Sequence, residues 1–66
     1  MIVDAKTWGD IYSALAFNRT IIIRTGGQVH AGRMSSVKQT EEGTIVRFGR
    51  RKTILVKYDE NKQIIV

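Results

Sequence analysis

The sequence predicts an α+β, mainly β fold: an N-terminal helix followed by about five short antiparallel strands in a strongly bent sheet or small barrel. Three observations carry this. Apolar residues recur at helical spacing in one early stretch only, and from Thr20 onward the period falls to two. Turn signals then recur at short intervals, with no proline anywhere in the 66 residues.

The helix is predicted from Thr7 to Phe17. Trp8, Ile11, Tyr12 and Leu15 stand at i, i+3, i+4 and i+7, which places them on one face, read as core docked onto the sheet. Thr7 followed three residues later by Asp10 forms a capping box with Asp in place of Glu. Asn18 tolerates the left-handed conformation that ends a helix.

The strands follow in order. Thr20–Thr25 holds three consecutive isoleucines, the composition of a strand covered on both faces. Gly26-Gly27 is a hairpin signal, because both positions accept positive φ. Gln28–Val37 sets Val29, Ala31 and Arg33 against His30, Gly32 and Met34, and Gly32 inside a strand marks a bulge or bend. Thr44–Phe48 alternates after the Glu42-Gly43 turn. Arg51–Tyr58 follows the basic turn Gly49-Arg50-Arg51. Asp59 to Lys62 reads as a tight turn with Asn61 left-handed, leading to a final apolar strand, Gln63–Val66. Closing such short strands into a barrel removes most free edges, and the helix is expected to cap one open end.

Residues 1–66 are expected to form a single domain. A chain of this size buries only about 60% of the surface its unfolded form exposes. It has no cysteine, so no disulfide or thiolate metal site can staple it, and oligomerisation is one remedy. No run approaches the roughly 18 apolar residues of a membrane span. The first ten residues carry two carboxylates and no apolar stretch, unlike a signal peptide. The expectation is a soluble, cytoplasmic protein with no membrane partner.

The formal charge is +5, with a pI near 10.1, and it is unevenly spread. Nine basic residues lie between Arg19 and Lys57 against only Glu41 and Glu42, leaving that interval at +7 and the flanks at −2. Such asymmetry points to a polyanionic partner, the plainer reading being a solvated basic surface.

The stretch Thr25-Gly26-Gly27-Gln28-Val29-His30-Ala31-Gly32-Arg33-Met34 resembles the first motif of the Sm-like family, the bacterial Hfq type in particular. There a hairpin glycine precedes a strand-bending glycine by five residues, as Gly27 precedes Gly32. The resemblance implies a small barrel that binds RNA as an oligomer. It covers the order of elements along nearly the whole chain, but only about ten positions by residue. Lys38 stands where the family has an acid, and Val56-Lys57-Tyr58-Asp59 replaces its Tyr-Lys-His run, so no ligand residue carries over.

Catalysis is not expected. The six carboxylates fall at the helix start and in turns, with no pair placed to share an apolar pocket. His30 is the only histidine, too few ligands for zinc, and no cofactor is implied. Gly26-Gly27 lacks the Lys-Ser or Lys-Thr of a phosphate loop.

The best functional candidate is a basic band. Arg47, Arg50, Arg51 and Lys52 fall within six residues, with Arg33, Lys57 and Arg24 on neighbouring strands. Guanidinium forks suit phosphate, and Phe48 or Tyr58 is placed to stack a base, although both also continue apolar faces. The expected function is non-catalytic binding of nucleic acid, RNA ahead of DNA, through phosphates on a small barrel. The alternative is a regulatory protein-interaction module, of the type phages and mobile elements encode, docking on a partner protein through a sheet edge. The isoleucine-rich first strand and Ile64-Ile65-Val66 are the candidate edges, which would equally serve a homo-oligomer.

Overall fold

A computed structural model describes residues 2–66; Met1 lies outside the described residues. Its elements are β1 (Ile2–Ala5), α1 (Trp8–Ala16), β2 (Thr20–Thr25), β3 (Gln28–Gln39), β4 (Thr44–Phe48) and β5 (Lys52–Val56). The five strands form one mixed sheet in sequence order. β1 runs parallel to β2, with Ile2 opposite Thr20 and Ala5 opposite Ile23, and every other pair is antiparallel. A parallel pair needs a long crossover, and the stretch from Lys6 to Arg19 containing α1 supplies it.

The helix is bounded by the signals in its sequence. The Asp10 backbone N–H donates to the Thr7 hydroxyl, and the Asp10 carboxylate accepts from the N–H groups of Thr7 and Lys6. At the other end Asn18 is left-handed (φ 52°). The N–H of Asn18 donates to the Leu15 carbonyl and that of Arg19 to Ala14, the paired bonds of a Schellman cap. The buried stripe is shifted from the expected one. Ile11 and Ala14 are fully buried and Leu15 packs beside them, but Trp8 is 44% exposed. Trp8 pairs instead with Tyr12 at the rim, ring centroids 4.6 Å apart.

Three expectations about the sheet are corrected. It contains five strands, but the first precedes the helix: β1 is four residues long and holds a carboxylate, too little for an alternating pattern to show. The expected last strand, Gln63–Val66, forms only isolated bridges, Gln63 with Thr7 and Ile64 with Tyr58. Nor is the sheet closed into a barrel or strongly curled. No ladder joins the edge strands β1 and β5. The C-terminal segment merely touches both ends, the Ile64 N–H donating to the Lys6 carbonyl (2.8 Å) and the Ile65 N–H to Lys57 (3.0 Å). The helix accordingly packs on the sheet against β1, β2 and β3 and caps no opening.

β3 is the shared strand. Residues Gln28 to Arg33 pair with β2, and Met34 to Gln39 pair with β4. A bulge at Ser35 separates the halves, so Met34 faces Phe48 but Ser36, not Ser35, faces Arg47. The extra residue resets the alternation, directing Val37 inward opposite Val46. The bulge thus falls three residues beyond Gly32. Gly32 has φ 148°, and a Cβ there would lie 3.4 Å from the Phe48 ring.

The core gathers Ala5, Ile11, Ala14, Ile21, Ile23, Met34, Val46, Phe48, Val56 and Ile64. Of the three isoleucines in β2, alternation buries Ile21 and Ile23 completely and leaves Ile22 half-buried, so the outer face of β2 is not covered. In the last turn Lys62, not Asn61, is left-handed (φ 63°), because the Asp59 carboxylate accepts from both Asn61 and Gln63 N–H groups and curls the chain around itself.

Gly43 closes the β3–β4 turn at φ 152°, where a Cβ would run into the Val56 carbonyl. Gly43→Ala is therefore expected to destabilise the protein by at least about 2 kcal/mol in a denaturant titration. Gly27→Asn, at an open position with φ 75°, should cost less than about 1 kcal/mol.

Candidate nucleic-acid interface

The antiparallel register brings most of the basic band to one end of the sheet. Val46 and Phe48 point inward, so Arg47 between them projects outward, flanked by Ser36 on β3 and Thr53 on β5. Arg33 adjoins Met34, and Met34 faces Phe48, which sets Arg33 beside the Gly49–Arg51 turn. Arg50 and Arg51 are exposed in that turn, which Gly49 enters at φ 65°. The Ser35 hydroxyl lies within hydrogen-bonding distance of the Gly49 carbonyl (2.9 Å) and the Arg47 carbonyl (3.2 Å), so the bulge residue ties the turn down. Lys52 opens β5 opposite Phe48, with its ammonium 5.6 Å from the ring centroid. Five of the seven candidate residues, Arg33, Arg47, Arg50, Arg51 and Lys52, therefore share one end.

The other two lie elsewhere. Lys57 follows β5 at the opposite end of the sheet, just beyond Val56, which pairs with Thr44. Arg24 projects from β2 toward β1, where its Nη1 donates to both oxygens of Asp4 at 2.6 and 2.7 Å. That hydrogen bond lowers the Asp4 pKa and raises that of Arg24. Both groups are exposed, so the pair adds little to stability, but it spends the charge of Arg24 locally.

No carboxylate answers the clustered end. The Arg24–Asp4 contact is the only ion pair among the described residues. Asp10 is engaged with the helix cap and Asp59 with the last turn. Glu41 and Glu42 occupy the β3–β4 turn, at the far end of β4 from Arg50.

Of the two aromatics considered for base stacking, Phe48 is buried in the core over Gly32. Tyr58 is half-buried, and its hydroxyl donates to Thr44 Oγ1 (2.7 Å). Thr44, fully buried, passes its own proton to Gln39 Oε1 (2.8 Å), which also accepts from Trp8 Nε1 (3.3 Å). Trp8, Gln39, Tyr58 and Lys62 line a cavity of about 380 Å³. Of this group the sequence singled out Tyr58 alone as a stacking candidate; Trp8 read as core, Lys62 as part of a turn, and Gln39 carried no signal, because the four come from separate segments. His30 faces Ile23 across the hairpin, its Nδ1 buried without a partner. Among the described residues no three His, Cys, Asp or Glu side chains gather as metal ligands, and no helix is long and apolar enough to cross a membrane.

Set against family models, curated proteins and solved structures, the chain matches none.

Burial raises the Tyr58 pKa above the ordinary phenol value of 10.0. The folded state therefore favours the protonated phenol. This contribution to stability is complete below the unfolded pKa and is lost as pH rises through it toward the higher folded value. A Tyr58→Phe variant should lose about 1 kcal/mol at neutral pH, with the Thr44 bond, and should lack this share of the alkaline decline. Denaturation midpoints measured from neutral to alkaline pH check both effects.

Proposed function

We propose that this protein binds nucleic acid without catalysis, RNA in preference to DNA, by seating phosphates on the end of the sheet formed by Arg33, Arg47, Arg50, Arg51 and Lys52. The observation that carries this reading is that, among the described residues, none of these five cations has a carboxylate partner, while acids elsewhere are engaged or distant. Crowding unpaired cations on a small domain opposes folding, and a polyanion bound there would offset that cost. Arginine supplies four of the five, and its planar fork matches phosphate oxygens in pairs. The turn is held in place by Ser35, so little order has to be created when phosphate arrives.

The contacts favour backbone over base. Phe48 has no free face, and the side chains flanking Arg47 are the small hydroxyls Ser36 and Thr53. Binding through this end is therefore weakly dependent on sequence. The preference for RNA is taken from the resemblance of the Gly27 to Gly32 segment to Sm-like proteins, although the sheet does not close into the barrel which that resemblance implies.

A second reading has its own observation. β1 and β5 each have one side unpaired, and Leu55 is 37% exposed on the outer face of β5, beside a shallow recess shared with Ile45. An added strand from a partner protein or a second copy would find backbone donors and acceptors there.

Binding to a random single-stranded oligonucleotide should weaken steeply with salt, with a log–log slope of about −3 if four to five phosphates are neutralised. The double variant Arg50→Ala, Arg51→Ala should keep its circular dichroism spectrum and flatten that slope by about 1.4. Lack of binding at about 50 mM salt would remove the nucleic-acid reading in favour of the sheet-edge one. Light scattering on the same samples reports the oligomeric state: a 7.5 kDa particle excludes self-association through the edges.

A further inference from the structure

We propose that the cavity between the start of α1 and the start of β4 is a pocket for one unpaired nucleobase together with its phosphate. The choice of ligand class rests on the nucleic-acid reading above; the pocket itself rests on different residues. It lies at the end of the sheet away from Arg50 and Arg51, because Gln39 pairs with Thr44 at the start of β4, whereas the basic turn follows Phe48 at its end.

The lining is Trp8, Gln39, Tyr58 and Lys62. An aromatic stripe on a helix is ordinarily core, and Ile11 and Ala14 are. Trp8 stands in the same stripe yet leaves 44% of its surface open, while Tyr12 supports its ring at a tilt of 51°. A large aromatic kept at the mouth of a cavity offers a stacking surface, and every base has a face to stack.

The polar groups are held in fixed directions. Gln39 Oε1 accepts twice, from Trp8 and from Thr44, and Thr44 is in turn oriented by Tyr58. Both contacts need the carbonyl end of the amide, which determines where the amino end points. That amino group has only one protein acceptor, the Thr40 carbonyl at 3.5 Å, the outer limit of a hydrogen bond. It is a donor left over, positioned by a rigid chain of four side chains. Lys62 brings a positive charge with no carboxylate partner, and its left-handed backbone is anchored by the Trp8 N–H donating to its carbonyl (3.1 Å).

Two aromatic rings, one directed amide donor, one cation and no lining acid describe the complement of a planar ring with a carbonyl acceptor and an attached anion. At about 380 Å³ the cavity is near the lower end of the usual range for ligand sites, about 300–1,000 Å³, and holds one nucleotide and not a longer segment.

Trp8 is the only tryptophan, so its fluorescence reports the pocket directly. The full chain is titrated at constant low ionic strength with the four common nucleoside 5′-monophosphates, then with ribose 5-phosphate and with benzoate. Saturable quenching by at least one nucleotide, with neither control reaching the same affinity, is the expected result. Lys62→Asn, which removes the charge and tolerates the left-handed backbone, should weaken that nucleotide about tenfold. Gln39→Glu, which keeps both accepted bonds and replaces the donor by an acceptor, should do the same, with circular dichroism confirming the fold. No saturable change with any nucleotide, equal binding of ribose 5-phosphate or benzoate, or unchanged affinity in Lys62→Asn overturns the pocket. The outcomes separate the two proposals. Oligonucleotide binding that persists while nucleotides leave Trp8 untouched rejects the pocket alone; nucleotide quenching without oligonucleotide binding rejects the basic end alone.

Discussion

Both halves of the sheet hang on one strand. β3 pairs with β2 through its first six residues and with β4 through its last six, so every other element takes its place from where β3 changes partner. The change of partner coincides with the bulge at Ser35. A bulge alters which side chains face the core, and here it keeps Met34 and Val37 both inward although they are three residues apart. The same residue that resets the alternation also reaches the carbonyls of Arg47 and Gly49. Packing and the geometry of the basic turn are thus joined at a single position. A side chain at Gly32 would touch the Phe48 ring only in ordinary contact; it is the positive φ of 148° that disfavours one there.

Charge is segregated along the sheet in a way that follows from this arrangement. β1 adds a carboxylate beside β2, and Asp4 neutralises Arg24 there. The remaining acids sit in turns at the opposite end from Gly49, or are consumed in capping backbone N–H groups. Backbone capping holds a carboxylate more firmly than an exposed ion pair does, since the donors cannot move away. The guanidinium groups of Arg47, Arg50 and Arg51 are therefore left without internal anions. A domain this small has little core with which to offset that repulsion.

The polar chain from Tyr58 through Thr44 to Gln39 and Trp8 solves a different problem. Thr44 is fully buried at the start of β4, and an unpaired hydroxyl there would be costly. Tyr58 and Gln39 satisfy it from two sides and, in doing so, fix the edge of the cavity above α1. The Tyr58 and Thr44 bonds are part-buried and the outer Trp8–Gln39 bond is exposed, so the chain runs from the core out to solvent.

Local signals were legible in the amino-acid sequence wherever neighbours along the chain decide the outcome. The Thr7–Asp10 box, the left-handed Asn18, the Gly26-Gly27 hairpin and the outward direction of Arg47 all depend on spacings of five residues or fewer, and the structure has each of them. Sequence also determined the charge imbalance, and that the chain holds one histidine and no cysteine. Tertiary structure decided what distance along the chain conceals. β1 has no pattern of its own and exists because β2 offers an edge. Gln63–Val66 has a strand's composition, yet makes only single bridges, because it meets the chain beyond β1 and β5 and not a full strand edge. Arg24 left the basic band for Asp4, twenty residues away. Trp8, Gln39, Tyr58 and Lys62 met at one cavity. Which edges pair and which side chains converge depends on non-local contacts, whose partners no local spacing records.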